Sequence, residues 1–157
     1  MFETKTNDAT WVTIANRQTD SIRVLTEVLL RCAQAVESDL IQGWRTEFEL
    51  MSSLERFEND YKTLSSSFKK IGSPRSSNHL KQIKKSMDLF FVYCDFAFHW
   101  GKHHYKDASG GPGQRAINET GFYKRLAVKR VTNNGTKFCD NAVKAAMMAE
   151  SALARLE

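Results

Sequence analysis

The sequence predicts an all-α fold, a single-domain bundle of four or five helices. Apolar side chains recur every three or four residues over residues 22–71, which is the periodicity of a helix with one buried face. Only 2 prolines and 8 glycines occur among the 157 residues, so few positions interrupt regular structure. No segment alternates apolar and polar residues as half-buried strands do. We therefore expect one helical domain over residues 1–157, with residues 1–10 flexible.

The first long apolar series contains a point where it could divide into two helices. Its average step is about 3.5 residues, the spacing of helices that pack along a shallow left-handed crossing. Gly43 lies inside the series, and a glycine can either end a helix or remain within it at a cost of about 1 kcal/mol. We favour two helices that meet near Gly43 over one uninterrupted helix.

The segment over residues 72–78 predicts a turn after this series. Pro74 cannot continue a helix because it lacks a backbone donor and its ring clashes with the preceding turn. Ser76, Ser77 and Asn78 are residue types whose side chains accept hydrogen bonds from the first free amides of a helix. We expect the next helix to begin here and to extend over residues 79–106.

The helix over residues 79–106 is the predicted centre of the bundle. Its middle part carries few polar side chains, and the apolar ones are Leu89, Phe90, Phe91, Val92, Tyr93, Phe96, Phe98 and Trp100. A helix that is apolar on most sides is usually surrounded by neighbours. We therefore expect this helix to be largely buried.

The remaining part of the chain predicts a loop and two further helices. Residues 107–114 are rich in glycine and include a proline, so we expect an exposed loop there. Helices are expected over residues 114–131 and 136–155. Asn133, Asn134 and Gly135 should divide them, because these residue types favour turns.

The three cysteines and the absence of a targeting pattern indicate a reducing compartment. Cys32, Cys94 and Cys139 are odd in number, far apart and embedded in apolar helical patterns, so buried free thiols explain them better than disulfides. No signal-peptide pattern and no run of 18 apolar residues occurs. We expect a cytoplasmic protein that has no membrane partner.

Charge is distributed unevenly along the chain. Residues 62–130 contain 14 basic and 4 acidic side chains, whereas residues 1–61 contain 6 basic and 11 acidic ones. Clustered cations favour phosphate backbones, because each neutralised phosphate releases condensed counterions. We therefore predict a nucleic-acid-binding surface formed by Lys69, Lys70, Arg75, Lys81, Lys84, Lys85, Lys102, Arg115, Lys124, Arg125, Lys129 and Arg130.

Other patterns give weaker hypotheses. Asp95, His99 and His103 recur every four residues, and two histidines at that spacing can bind one metal ion with a carboxylate. However, no glutamate follows His99 as in zinc proteases, Gly101 weakens the helix, and no second ligand cluster is evident. The start of the helix after the glycine loop, beside Arg115, could hold an anion.

The sequence gives no support for catalysis. It contains no Gly-x-Ser-x-Gly element and no cysteine in a recognised catalytic context. We expect a non-enzymatic module without catalytic residues, metal or cofactor, which binds nucleic acid, RNA included, or a nucleoprotein assembly. The alternative is a protein-interaction module, an adaptor or inhibitor that binds an acidic partner or associates with itself. A metal-binding protein is the third hypothesis.

Overall fold

Five helices pack together in the part of the chain that the computed structural model describes, which comprises residues 5–42, 48–109 and 121–156. In chain order the elements are β1 (Lys5–Thr6), α1 (Asp8–Arg17), α2 (Thr19–Gln42), α3 (Phe48–Ile71), β2 (Ser73–Pro74), α4 (Asn78–Ser109) and α5 (Gly121–Leu156). The predicted all-α bundle is confirmed.

The N-terminal segment has more structure than its sequence predicts. Residues 1–10 are expected to be flexible, but residues 5–10 form β1 and the first turn of α1. β1 pairs in parallel with β2, with Lys5 opposite Ser73. The Asn7 side chain accepts hydrogen bonds from the Ala9 and Thr10 amides and caps α1. Residues 1–4 lie outside the described residues.

The division of residues 22–71 into two helices is confirmed. α2 ends at Gln42 and α3 begins at Phe48, while Gly43 itself lies outside the described residues. The predicted periodicity places one face of each helix in the core. Among the side chains that the structure describes, those of α2 and α3 that are apolar and buried are Ile22, Leu25, Leu29, Cys32, Ala33, Val36, Leu54, Phe57, Tyr61, Leu64, Phe68 and Ile71.

α4 packs against α3 on one flank and more extensively against α5 on the other, but α2, α3 and α5 each pack against two long helices as well, so α4 is not the single centre of the bundle that the sequence predicts. Phe90, Cys94 and Ala97 are fully buried on its inner face. Its outer face differs from the expectation, since Val92 is 43% exposed and Phe96 is 50% exposed. Two helices cannot cover the whole circumference of a third, so apolar residues on the remaining face meet solvent.

The predicted break at residues 133–135 is wrong, because α5 is one helix from Gly121 to Leu156. Asn134 and Gly135 are buried within it. Packing against neighbours outweighs the roughly 1 kcal/mol by which glycine disfavours a helix. The predicted loop over residues 107–114 also overlaps α4, which extends to Ser109, and its remaining residues lie outside the described ranges.

All three cysteines are free, as the sequence predicts. Cys32 and Cys94 are buried, and half-buried Cys139 donates its thiol hydrogen to the Ala33 carbonyl oxygen at 3.4 Å. Burial raises the pKa of Cys32 and of Cys139 to about 11, and it also raises the pKa of Cys94. Thiols with raised pKa values are weak nucleophiles at neutral pH.

Within the described ranges, no helix combines the length and the apolar character that crossing a membrane requires.

Candidate nucleic-acid interface

The N-terminal segment holds the turn between α3 and α4. α3 ends at Ile71, and the next residue, Gly72, has a φ of 75°, which favours glycine. The fully buried Trp11 donates its Nε1 hydrogen to the Gly72 carbonyl oxygen at 3.0 Å, and Thr6 donates its hydroxyl to the Ile71 carbonyl oxygen. Because both acceptors lie at the end of α3, α1 and β1 fix the path by which the chain enters α4.

Asp8 holds the other half of this turn. Its Oδ1 accepts the Ser76 amide at 3.1 Å, and its Oδ2 accepts the Ser77 amide at 2.9 Å. Ser77 Oγ in turn accepts the Leu80 amide at 3.2 Å, so Ser77, one of the three candidates that the sequence offers, is the side-chain cap of α4. The start of α4 is therefore tied to the N-terminal segment by paired hydrogen bonds.

The Asp8 contacts should make the turn sensitive to acid. The backbone amide of Ser76, followed by those of Ser77 and Arg75, lowers the pKa of Asp8 below its ordinary value of 3.8, and Lys81 acts in the same direction. Because the pKa of Asp8 is lower in the folded state than in the unfolded state, its ionised form stabilises the fold. This stabilisation is complete at pH values above the unfolded-state pKa, and it is lost as the pH falls through the folded-state pKa. NMR can measure the chemical shifts of the Ser76 and Ser77 amides as a function of pH. We expect the two shifts to change together, with a midpoint at a pH below 3.8.

Asp8→Asn is the control for this titration, because it removes the titrating group. Its Ser76 and Ser77 shifts should stay constant over the same acidic range. A midpoint at or above the ordinary aspartate pKa in the unmodified protein would contradict the proposed hydrogen-bonded carboxylate.

Basic side chains surround the turn on both helices, and we call residues 69–85 the hairpin end. Five of its basic side chains are exposed: Lys69, Lys70, Arg75, Lys81 and Lys85. Among the described residues, none of these five has a carboxylate oxygen within 4.0 Å. Lys84 differs, because its side chain is 20% exposed and its Nζ lies 2.7 Å from Asp88 Oδ2.

A groove of about 340 Å³ opens between α3 and α4 beside Lys69 and Lys84. Asp88 and Asp95 line it too, and Tyr61 donates its hydroxyl to Asp95 Oδ1. Burial and this hydrogen bond raise the pKa of Tyr61. The groove contains both signs of charge and therefore does not favour a phosphate, but it shows that Asp88 and Asp95 face α3.

Among the described residues, the predicted basic side chains do not all lie together. Lys102 and Lys129 are exposed, but Lys102 lies 17 positions after Lys85 in α4, roughly 26 Å along the helix axis. Lys124, Arg125 and Arg130 lie on α5 with side chains outside the described set, and Arg115 lies outside the described residues altogether.

An aromatic stripe on α4, which the sequence analysis missed, contacts lysines of α5. Its members recur every three or four residues: Tyr93, Phe96, Trp100 and His103. Lys137 Nζ lies 4.2 Å from the centroid of the Trp100 ring, and Lys144 Nζ lies 5.9 Å from that of Tyr93. We call these six residues the aromatic–lysine ridge.

Two signals in the sequence could have indicated this ridge. The stripe is offset from the core positions Phe90, Cys94 and Ala97, so its members could not all be buried on the same face. Lys137 and Lys144 are seven residues apart, which is two helical turns, and they therefore share one face of α5. What the sequence does not reveal is that this face adjoins α4.

The proposed metal ligands do not converge. Asp95 accepts the Tyr61 hydroxyl on the α3 side of α4, whereas the His99 and His103 rings contact each other with centroids 4.5 Å apart. Among the described residues, no group of three or more histidine, cysteine or acidic side chains is arranged to hold a metal ion. His99 also contacts the Trp100 ring, with centroids 4.9 Å apart, so the two histidines extend the aromatic surface.

Known proteins provide no further guide to function. No protein family model, no curated protein and no solved structure matches this chain.

Proposed function

We propose that this chain is a non-enzymatic helical module that binds nucleic acid, alone or within a nucleoprotein assembly, through the phosphate backbone. The supporting observation is the set of five exposed basic side chains at the hairpin end, none of which is ion-paired among the described residues. Such a cation can contact a phosphate without first breaking an ion pair. Several contacts of this kind together give useful affinity.

The local structure supports a preorganised basic surface. The hairpin end is tied to the N-terminal segment by the Trp11 and Asp8 hydrogen bonds, so the backbone that carries these cations is fixed before a ligand arrives. Binding then costs less conformational entropy than it would for a disordered basic segment. The surface recognises charge and spacing, so we expect little sequence preference.

The basic residues of α2 provide a contrast. Arg23 Nη1 lies 3.3 Å from Asp20 Oδ1, and Arg31 Nη2 lies 3.9 Å from Glu27 Oε2. These cations are partly neutralised within their own helix. They therefore serve as a matched control for the loss of charge at the hairpin end.

Lys70→Gln/Lys85→Gln should weaken nucleic-acid binding. Each lost phosphate contact should reduce the slope of log K against log salt by about 1, so the double variant should lose about 2. Fluorescence anisotropy titrations at several salt concentrations measure both quantities. The unfolding midpoint should change little, because exposed charges contribute about 0–1 kcal/mol to stability.

Arg23→Gln/Arg31→Gln removes the same number of charges from α2 and should have a smaller effect on affinity and slope. Equal losses in both variants would mean that only net charge matters and that the hairpin end is not the binding site. No loss in the Lys70→Gln/Lys85→Gln variant would also contradict the proposal.

A protein-interaction module is the second candidate, and one observation favours it. Val143 and Met147 lie one turn apart on α5 and are 51% and 57% exposed. Exposed apolar pairs at this spacing occur on helices that pack into a partner. If the chain associates with itself through this face, its mass in sedimentation equilibrium should increase with concentration, and Met147→Glu should abolish the increase.

A further inference from the structure

We infer that the nucleic acid is single-stranded and that its bases stack on the aromatic–lysine ridge. This inference rests on the proposed function but concerns other residues than those of the hairpin end. A single strand presents flat base faces as well as phosphates, whereas the bases of a duplex are already stacked on one another. The ridge contains groups suited to each of these two parts.

Phe96 is the base-stacking residue of the ridge. Its side chain is 50% exposed although phenylalanine is among the most apolar residues, and it lies on α4 between the half-buried rings of Tyr93 and Trp100. His103 lies one turn after Trp100 and contacts its ring, and the His99 ring contacts that of His103. Aromatic rings stack with every base, so such a surface binds single strands without strong sequence preference.

Lys137 and Lys144 supply the phosphate contacts beside these rings. Their ammonium groups lie over the Trp100 and Tyr93 rings, and neither lysine has a carboxylate oxygen within 4.0 Å in the part of the chain that the structure describes. They are two turns apart, about 10 Å along α5. The ridge therefore places cations alongside a row of rings, which is how sequence-tolerant single-strand sites combine stacking with charge.

The described acidic residues of α4 lie toward α3. Asp88 and Asp95 line the groove between the two helices, and Asp95 accepts the Tyr61 hydroxyl. Asp140 is exposed on α5 between the two lysines in sequence. The lysines favour a polyanion and the exposed rings favour flat apolar faces, so a single-stranded nucleic acid fits this surface better than a ligand that is only acidic.

The decisive comparison uses a single-stranded oligonucleotide and a duplex of the same length at near-physiological salt. We expect Phe96→Ala to weaken single-strand binding about 5- to 150-fold, the range for the loss of one stacked base, and to leave duplex binding nearly unchanged. Phe96→Tyr should retain most of the affinity because it keeps the ring. Val24→Ala, which changes an apolar residue of α2 that is 57% exposed, is the matched control and should bind like the unmodified protein.

Charge variants test the lysines independently. Lys137→Gln/Lys144→Gln should reduce the single-strand salt slope by about 1.4, that is about 0.7 for each phosphate. Asp140→Asn should strengthen binding, because it removes the one acidic residue between the lysines in sequence. No change in slope for the lysine variant would overturn the assignment of these two residues.

The fluorescence of Trp100 reports directly on whether a single strand contacts the ridge, which a loss of affinity alone does not. This fluorescence should change when a single strand binds, and Trp100→Phe should remove that change while retaining most of the affinity. An unaltered fluorescence change in Trp100→Phe would overturn the placement of the strand on the ridge.

The experiments distinguish an error in the ridge inference from an error in the proposed function. If Phe96→Ala binds single strands normally while Lys70→Gln/Lys85→Gln weakens single strands and duplexes alike, the ridge inference is overturned and the proposed function stands. If the unmodified protein binds neither polymer, both are overturned.

Discussion

Replacing Trp11 by alanine should lower the free energy of unfolding by about 3–5 kcal/mol, because it removes one of the largest fully buried side chains and leaves a cavity. It also removes the hydrogen bond from Nε1 to the Gly72 carbonyl oxygen. This bond joins α1 to the end of α3. We therefore expect the hairpin end to lose its fixed geometry together with global stability.

Trp11→Phe separates the two contributions, since it keeps an aromatic ring but no donor. We expect this variant to lose about 1–3 kcal/mol, consistent with an unsatisfied buried carbonyl and a smaller ring. Val24→Ala, at an exposed position of α2, should change stability by less than about 0.5 kcal/mol. Urea unfolding measures all three, and a loss below about 1 kcal/mol in Trp11→Ala would contradict the packing described here.

The contact between α4 and α5 at Gly101 gives the second large effect. A Cβ atom at Gly101 would lie 2.9 Å from Phe138 Cδ2 and 3.1 Å from Leu54 Cδ1, closer than side chains normally approach. Overpacking of this kind costs about 1–3 kcal/mol, whereas the gain in helix propensity from glycine to alanine is about 1 kcal/mol. We therefore expect Gly101→Ala to be destabilising on balance, and Phe138→Ala alone to cost about 3–5 kcal/mol.

A double-mutant cycle shows whether this contact is the cause. In a Phe138→Ala background the added methyl group partly fills the cavity, and Leu54 can shift into the remaining space, so Gly101→Ala should become neutral or stabilising. The coupling free energy should be at least about 1 kcal/mol. Additive effects of the two substitutions would show that the helices do not meet closely at Gly101. Phe138→Leu provides the same test if the alanine variant is too unstable to measure.

The parts of the fold that the sequence predicts correctly depend on local patterns. The apolar spacing over residues 22–71 predicts α2 and α3, and the turn chemistry at residues 72–78 predicts where α4 begins. α5 could not be predicted as one helix, because the burial that outweighs the turn preference of Asn134 and Gly135 comes from helices distant in sequence.

For the candidate site too, features that depend on residues close in sequence could be predicted, and features that depend on contacts between distant residues could not. The hairpin end could be predicted because its lysines lie on both sides of one turn and are close in sequence as well as in space. The aromatic–lysine ridge could not be predicted, because Lys137 and Lys144 belong to residues 131–157, which contain equal numbers of acidic and basic residues. Their relevance depends on the antiparallel packing of α5 against α4, which brings them over Trp100 and Tyr93.

The most direct test of nucleic-acid binding is a titration of the unmodified protein with naked single- and double-stranded RNA and DNA over a range of salt concentrations. An acidic protein partner would also respond to salt, so binding to naked polymer near physiological ionic strength is the discriminating result. We expect measurable binding whose log K falls with log salt by about 0.7 per phosphate contact on single strands and about 0.9 on duplex DNA. No detectable binding to any of the four polymers near physiological salt would contradict the account and favour the protein-interaction module.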